Sequence, residues 1–373
     1  DSIEDSAFEQ INDTRGKGTV AALLLRTNFE DKAEQLKAKL ETFSLRVVLT
    51  AHPTQFYPGS VLGILTDLEK AIRESDLQQI NLLLQQLGKT GFINRQKPTP
   101  FDEAVSLCWY LENVFYTAIP DIISQFSEGL NTNLADWKND KLVVIGFWPG
   151  GDRDGNPFVN VDTTFRVAER LRQTIMRCYY RDIRTLRRRL TFHGVDKIIL
   201  GIEQKISLQV SGKAISYKNA DELLTELMSA REIIINEHNG LFLNMLDVFI
   251  IKIKLFGFHF GCLDIRQDSR KHDQVWKYIL DKLQPEGKTM RAEELQKLKL
   301  HEQVDYLLNL DIDLSSETFE DPFVLETVNS IKAIADIQKA NGPAACHRYV
   351  ISNCQQALHV IEVYQLARLL IGT

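Results

Sequence analysis

The chain lacks most of what membrane, secreted and nucleic-acid-binding proteins depend on. No apolar run approaches the roughly 20 residues that span a bilayer, and the acidic N-terminus, DSIEDSAFEQ, has no apolar signal core. That N-terminus also has no initiator Met, which reads as a trimmed start. Positive charge is in deficit: 44 Lys+Arg against 50 Asp+Glu leave a net charge of −6. A general binder of nucleic acid or of an anionic membrane needs a large positive field, so neither is expected as a partner. The five cysteines (Cys108, Cys178, Cys262, Cys346 and Cys354) form no CxxC pair and have mostly apolar neighbours. Buried free thiols in a reducing cytoplasm are the expectation. The eight histidines show no HxxxH or His/Cys spacing for zinc. No fixed-period repeat, low-complexity tract or clear domain linker is visible.

What is present suits a globular protein. The 373 residues can bury a full core, and 44% hydrophobic with 25% charged residues is an ordinary balance. Most of the sequence has helical periodicity. Helices are expected over 61–87 (with Gly88 as a stop), 103–117, 160–190 (with Asp162 as N-cap), 220–238, 292–310, 322–340 and 355–370. Loops are expected over 88–100 and 283–289. Four short apolar runs interrupt this pattern: RVVLT at 46–50, 142–148, 256–265 and YVIS at 349–352. They read as buried parallel strands, the third through its Phe258/Phe260 alternation. The Phe258-His259-Phe260 run itself reads as core packing.

Each run ends in a polar cluster, and helical sequence fills the space between. Strand, polar loop and helix in repeating order is the pattern of a β/α barrel, whose chemistry sits at the C-terminal ends of the strands. The expected fold is mostly α with short parallel strands, part of a helix-rich (β/α)8 TIM-type barrel that is incomplete in this chain. Residues 1–373 form a single partial domain, about half of the barrel plus helical insertions.

Three clusters carry the chemistry. His52 sits two residues past the first strand, between Ala51 and Pro53; Pro53 restrains the backbone, and Thr50 and Thr54 can hydrogen-bond nearby backbone. An imidazole so held suits general acid–base work, and the competing reading is a histidine that satisfies a loop. The second cluster is Gly150-Gly151-Asp152-Arg153-Asp154-Gly155-Asn156-Pro157. Its glycines permit close backbone approach, and Arg153 lies between two aspartates that could orient a guanidinium toward phosphate or carboxylate. A calcium loop is disfavoured, because glycine falls at loop position 4 and Thr163 at position 12; an inert acidic turn stays open. The third is Leu263-Asp264-Ile265-Arg266-Gln267-Asp268-Ser269. Alternation puts Asp264 and Arg266 on one face, toward the barrel interior. There Arg266 either pairs with Asp264 or binds a substrate phosphate. The basic stretch Arg184–Arg189 reads as a solvated helix end.

TAHPTQ at 50–55, FWPGGDRDGNPFV at 147–159 and LDIRQDS at 263–269 together resemble three signature segments of phosphoenolpyruvate carboxylases. KPTPFDEA at 97–104, WYLENVFYTAIP at 109–120 and YVIS at 349–352 fit the same family in the same order. The resemblance runs from about residue 17 to the end. It implies conversion of phosphoenolpyruvate and bicarbonate to oxaloacetate and phosphate, which replenishes the tricarboxylic acid cycle, in a cytoplasmic tetramer using Mg²⁺ or Mn²⁺. It assigns the proton-accepting histidine to His52 and a phosphate-contacting arginine to Arg266. Arg153 then helps hold bicarbonate or carboxyphosphate. Gln267 is a further substrate contact, and Thr50, Asp152, Asp154, Asn156 and Asp264 support the loops.

Two departures follow. Many relatives carry an Arg-Arg pair after this histidine segment, where this chain has Phe56-Tyr57-Pro58-Gly59-Ser60. The family's metal-binding carboxylates lie C-terminal to the YVIS segment, so no metal is expected on this chain, and alone it is expected to be inactive. Two other readings stand beside this one: a non-catalytic helical scaffold or regulatory protein derived from such an enzyme, and another phosphoenolpyruvate-handling barrel such as a mutase or phosphotransferase.

Overall fold

The computed structural model describes residues 16, 18–50, 58–92 and 98–372. Residues 51–55 of the first signature segment, including His52 and Thr54, lie outside the described residues. Four parallel strands form one sheet in the order β1 (Leu45–Leu49), β2 (Val143–Phe147), β3 (Cys262–Asp268), β4 (Arg348–Ser352). Sequential parallel neighbours, each crossing over through helices, are the half-barrel arrangement that the sequence implied.

The helices that precede and follow β1 are α1 (Val20–Phe29), α2 (Ala33–Thr42), α3 (Gly59–Arg73) and α4 (Leu77–Lys89). Here the sequence reading of one helix over 61–87 is corrected. Ser75 adopts φ 55° and Asp76 accepts a hydrogen bond from Gln79 N, so the chain turns and a second helix starts. A polar Glu-Ser-Asp break is a stop and an N-cap in succession. Next come α5 (Pro100–Tyr110), a π turn over Leu111–Phe115, and α6 (Tyr116–Gly129). Thr99 and Asp102 close a reciprocal capping box at the start of α5, with Pro100 at the first helical position.

The β2-to-β3 crossover is α7 (Val161–Arg187), α8 (Val195–Val210), α9 (Ala220–Glu237) and α10 (Leu243–Phe256). The N-cap of α7 is Asn160, which accepts from Thr163 N, rather than Asp162. Asp162 instead sits in the first turn, where its charge complements the helix dipole. The Arg184–Arg189 stretch closes this helix, with Arg184 and Arg187 paired to Glu203 of α8. The β3-to-β4 crossover is α11 (Ser269–Leu283), α12 (Ala292–Gln296), α13 (Leu300–Asn309) and α14 (Pro322–Asn341), and α15 (Ala357–Ile371) follows β4.

The third strand is also corrected. Residues 256–260 are not extended: α10 runs through Phe256, and Gly257 and Phe260 take φ 48° and 61°. The strand begins only at Cys262, and Phe258 and Phe260 pack as buried core side chains beside Tyr116 and Phe256. Outward-facing Ile145, Phe147, Leu263 and Ile265 join that core with α7 to α10, while α11 to α15 close over a second core around Trp276 and Leu366. Four of the five cysteines are buried free thiols, but Cys354 is exposed. No helix among the described residues is long and apolar enough to cross a membrane.

Candidate functional site

The loop after β2 owes its path to glycine. A Cβ on Gly151 would lie 2.0 Å from Asp264 O, so only glycine lets this backbone lie against β3. Gly150 takes φ 83°, and its carbonyl accepts from the buried hydroxyl of Thr164. Arg266 N then donates to Gly151 O (2.8 Å) and Arg153 N to Arg266 O (3.1 Å), extending the sheet by one parallel bridge, Asp152 to Arg266. Asn156 Oδ1 accepts from Phe158 N and tightens the end of the loop. The second and third sequence clusters thus meet at the C-terminal ends of β2 and β3.

Arg266 is gripped from three sides. Its Nε lies 3.0 Å from Asp152 Oδ1 and 3.3 Å from Asp154 Oδ1, and its guanidinium stacks 3.7 Å above the Trp148 ring. The two aspartates that flank Arg153 in sequence therefore hold Arg266 instead. Arg266 does not pair with Asp264 either. Asp264 points to the same interior face but accepts from Arg46 of β1 (2.5 Å) and from Trp148 Nε1 (3.1 Å). Arg46 reaches it across Gly146, where a Cβ would stand 2.6 Å from the guanidinium.

Arg153 turns the other way. It is only 6% exposed and donates through one nitrogen to Glu326 of α14 at 2.5 Å, while its other two guanidinium nitrogens are buried with no hydrogen-bond partner among the described residues. Gln267 is buried by alternation on the face of Leu263 and Ile265, opposite Arg266, and its Oε1 accepts from Asp268 N. Thr50 is exposed at the end of β1.

The aspartate pair shares charge unequally. Burial, reinforced by the hydrogen bond to Asp154, raises Asp152 to about 6, against the pull of Arg266. Burial also opposes ionisation of Asp154, but hydrogen bonds from Asp152, Ser352 and Arg266 outweigh it and lower its pKa. Asp154 is the carboxylate of the pair and Asp152 the member that takes up a proton near neutrality. Ser352, at the end of β4, ties the fourth strand into the cluster. A small cavity of about 90 Å³ lies behind the loop, between Trp148, Asp152, Asn156 and Glu103 of α5. A larger hollow of about 360 Å³, beside Leu40, Leu130 and Trp137, is at the N-terminal ends of the strands and borders none of these groups.

Sequence reading missed four members of this network: Arg46, Trp148, Glu326 and Ser352. Gly146 was the available signal for Arg46, because an isolated glycine inside an apolar strand marks close approach of another group. Nothing local marks Glu326, which is 173 residues from Arg153 in sequence. Among the described residues no three His, Cys, Asp or Glu side chains converge to hold a metal ion. Asp152 and Asp154 are already engaged by Arg266, so this cluster does not fit a divalent ion.

Charged side chains gathered at the carboxyl ends of parallel strands are where proteins of the β/α-barrel class carry their chemistry. The family model described as phosphoenolpyruvate carboxylase matches residues 4–211 and 197–371. The chain is 26% identical to the phosphoenolpyruvate carboxylase of Gloeobacter violaceus, over 89% of this chain and 42% of that one. It is 27% identical to that of Shewanella loihica, over 88% and 42%, and 29% identical to that of Shewanella halifaxensis, over 65% and 32%. The chain belongs to the phosphoenolpyruvate carboxylase family. It spans about two fifths of the length of the first of these relatives.

Proposed function

We propose that this chain supplies the anion-holding part of a carboxy-lyase site that carboxylates phosphoenolpyruvate with bicarbonate to oxaloacetate and phosphate. The observation that carries the reading is Arg266, fixed between Asp152 and Asp154 beside the Arg153 loop at the strand ends. In this scheme a bicarbonate oxygen attacks phosphorus and the enolate oxygen leaves, giving carboxyphosphate and pyruvate enolate. His52 takes the carboxyl proton, carboxyphosphate splits to carbon dioxide and phosphate, and the enolate carbon attacks carbon dioxide. Arg266 stabilises charge on the migrating phosphoryl group, and Arg153 holds the bicarbonate side. Mg²⁺ or Mn²⁺, which the family implies, would supply Lewis-acid stabilisation. The cytoplasm and a homo-oligomer, a tetramer in the family, complete the reading.

On this reading the chain alone binds the anion without completing turnover, because the family resemblance places the metal ligands outside this sequence. Mg²⁺-dependent oxaloacetate formation by the purified chain would contradict that. The test of the assigned roles compares the full-length protein with its His52→Ala and Arg266→Ala variants. His52→Ala should lose carboxylation far more than phosphoenolpyruvate affinity, whereas Arg266→Ala should weaken both. Normal turnover in His52→Ala would remove the proton-transfer role. Stable acid-labile label on His52 after incubation with labelled phosphoenolpyruvate would favour a phosphotransferase instead.

A further inference from the structure

We propose that Glu326 is the resident counter-anion of Arg153 and that it sets, by competition, how tightly the site takes an oxyanion. This rests on the reading of Arg153 as an anion ligand and adds a specificity-determining residue to it. Arg153 is 94% buried by its 6% exposure, yet among the described residues only one of its three guanidinium nitrogens has a partner. A buried guanidinium with two orphaned nitrogens is an unfilled anion ligand, since such groups are ordinarily satisfied.

A planar guanidinium offers an oxyanion two fork-shaped edges, one from Nε and Nη2 and one from Nη1 and Nη2. Nη2 belongs to both, and Nη2 is the atom that Glu326 Oε1 holds at 2.5 Å. Nη2 carries two hydrogens, one on each edge, so Glu326 closes one edge and sets its carboxylate charge against any oxyanion that approaches the other. Glu326 is placed to yield. Its side chain is 40% exposed, and the same oxygen accepts from Val161 N at the start of α7, 2.8 Å away, so it has a second donor to rest on. Arg266 stands differently: its counter-charges, Asp152 and Asp154, belong to its own loop cluster and hold it through Nε and one further contact.

The test titrates inorganic phosphate into the full chain by calorimetry, with circular dichroism to verify folding. Glu326→Gln keeps an acceptor for both Nη2 and Val161 N while removing the competing charge. It should bind phosphate about fivefold or more tightly than the parent. Arg153→Gln should lose the gain, alone and combined with Glu326→Gln. If Glu326→Gln fails to fold, Glu326→Ser is read instead, with the same direction expected. Unchanged or weaker binding in the Glu326 variant, or no phosphate binding by either protein, would overturn the competition while leaving the site intact if Arg266→Gln still weakens phosphoenolpyruvate binding. Indifference of both Arg153→Gln and Arg266→Gln would overturn the anion site itself.

Discussion

Asp264→Asn should be among the most damaging single-atom-scale changes in this sheet. Asp264 is 3% exposed and accepts from Arg46 at 2.5 Å and from Trp148 Nε1 at 3.1 Å. The amide keeps an oxygen for Trp148 but removes the charge that compensates Arg46, whose side chain is 18% exposed and whose Nε already has no partner among the described residues. Breaking a buried ion pair on one side costs about 3–5 kcal/mol, and the remaining acceptor puts this case near 3 kcal/mol. In a chain of this size that lowers Tm by roughly 4 °C. Removing the stranded cation as well, in Arg46→Met/Asp264→Asn, should recover at least half of the loss, because the penalty belongs to an unpaired charge and not to a missing contact. Differential scanning calorimetry of the two single variants and the double variant measures this. A single variant as stable as the parent, or a double variant that adds the two losses, would refute the ion-pair account of how β1 is locked to β3.

Three further outcomes follow from the same geometry. Asp152 takes up a proton near pH 6, which removes one counter-charge from Arg266, so sulfate affinity should rise as pH falls from 7.5 to 5 and flatten in Asp152→Asn. Glu362 of α15 is buried beside Asp273, and burial foremost raises it to about 9 from an ordinary 4.5. The folded chain then holds a proton that the unfolded chain releases, so stability is lost as pH rises through this window, by up to about 1.4 kcal/mol per unit. Between pH 7 and 8.5 this slope should dominate, because buried His259 and His272, each depressed to about 4 by burial, act only below their ordinary 6.5. Glu362→Gln should abolish it, as followed by urea unfolding. Gly151→Ala should prevent the loop from pairing with β3, since its Cβ would meet Asp264 O at 2.0 Å; loss of anion binding and a clear drop in Tm are expected.

The parallel half-barrel was legible because its strands are short apolar runs closed by polar clusters, and three of the four fall within one residue of their expected bounds. β3 was misplaced at its start because Phe258 and Phe260 mimic alternation, while the left-handed turn at Gly257 and Phe260 that aligns them is set by packing. A helix break at Glu74–Asp76 was hidden by continuous apolar spacing on both sides. In the site, motif residues were easy to single out but their partners were not. Asp152 and Asp154 look like supports for Arg153 from one loop alone, and only the sheet shows that they grip Arg266. Arg46 and Asp264 lie 218 residues apart, and no local pattern joins them.

Phosphoenolpyruvate binding by the purified chain tests the central claim most directly, with phosphorus NMR line broadening and Trp148 fluorescence as readouts, since the indole stacks on Arg266. The account predicts saturable binding that Arg266→Gln weakens by at least about 30-fold, as expected when a hydrogen-bonded charge partner is truncated. Equal binding by parent and variant, in folded protein, would contradict it.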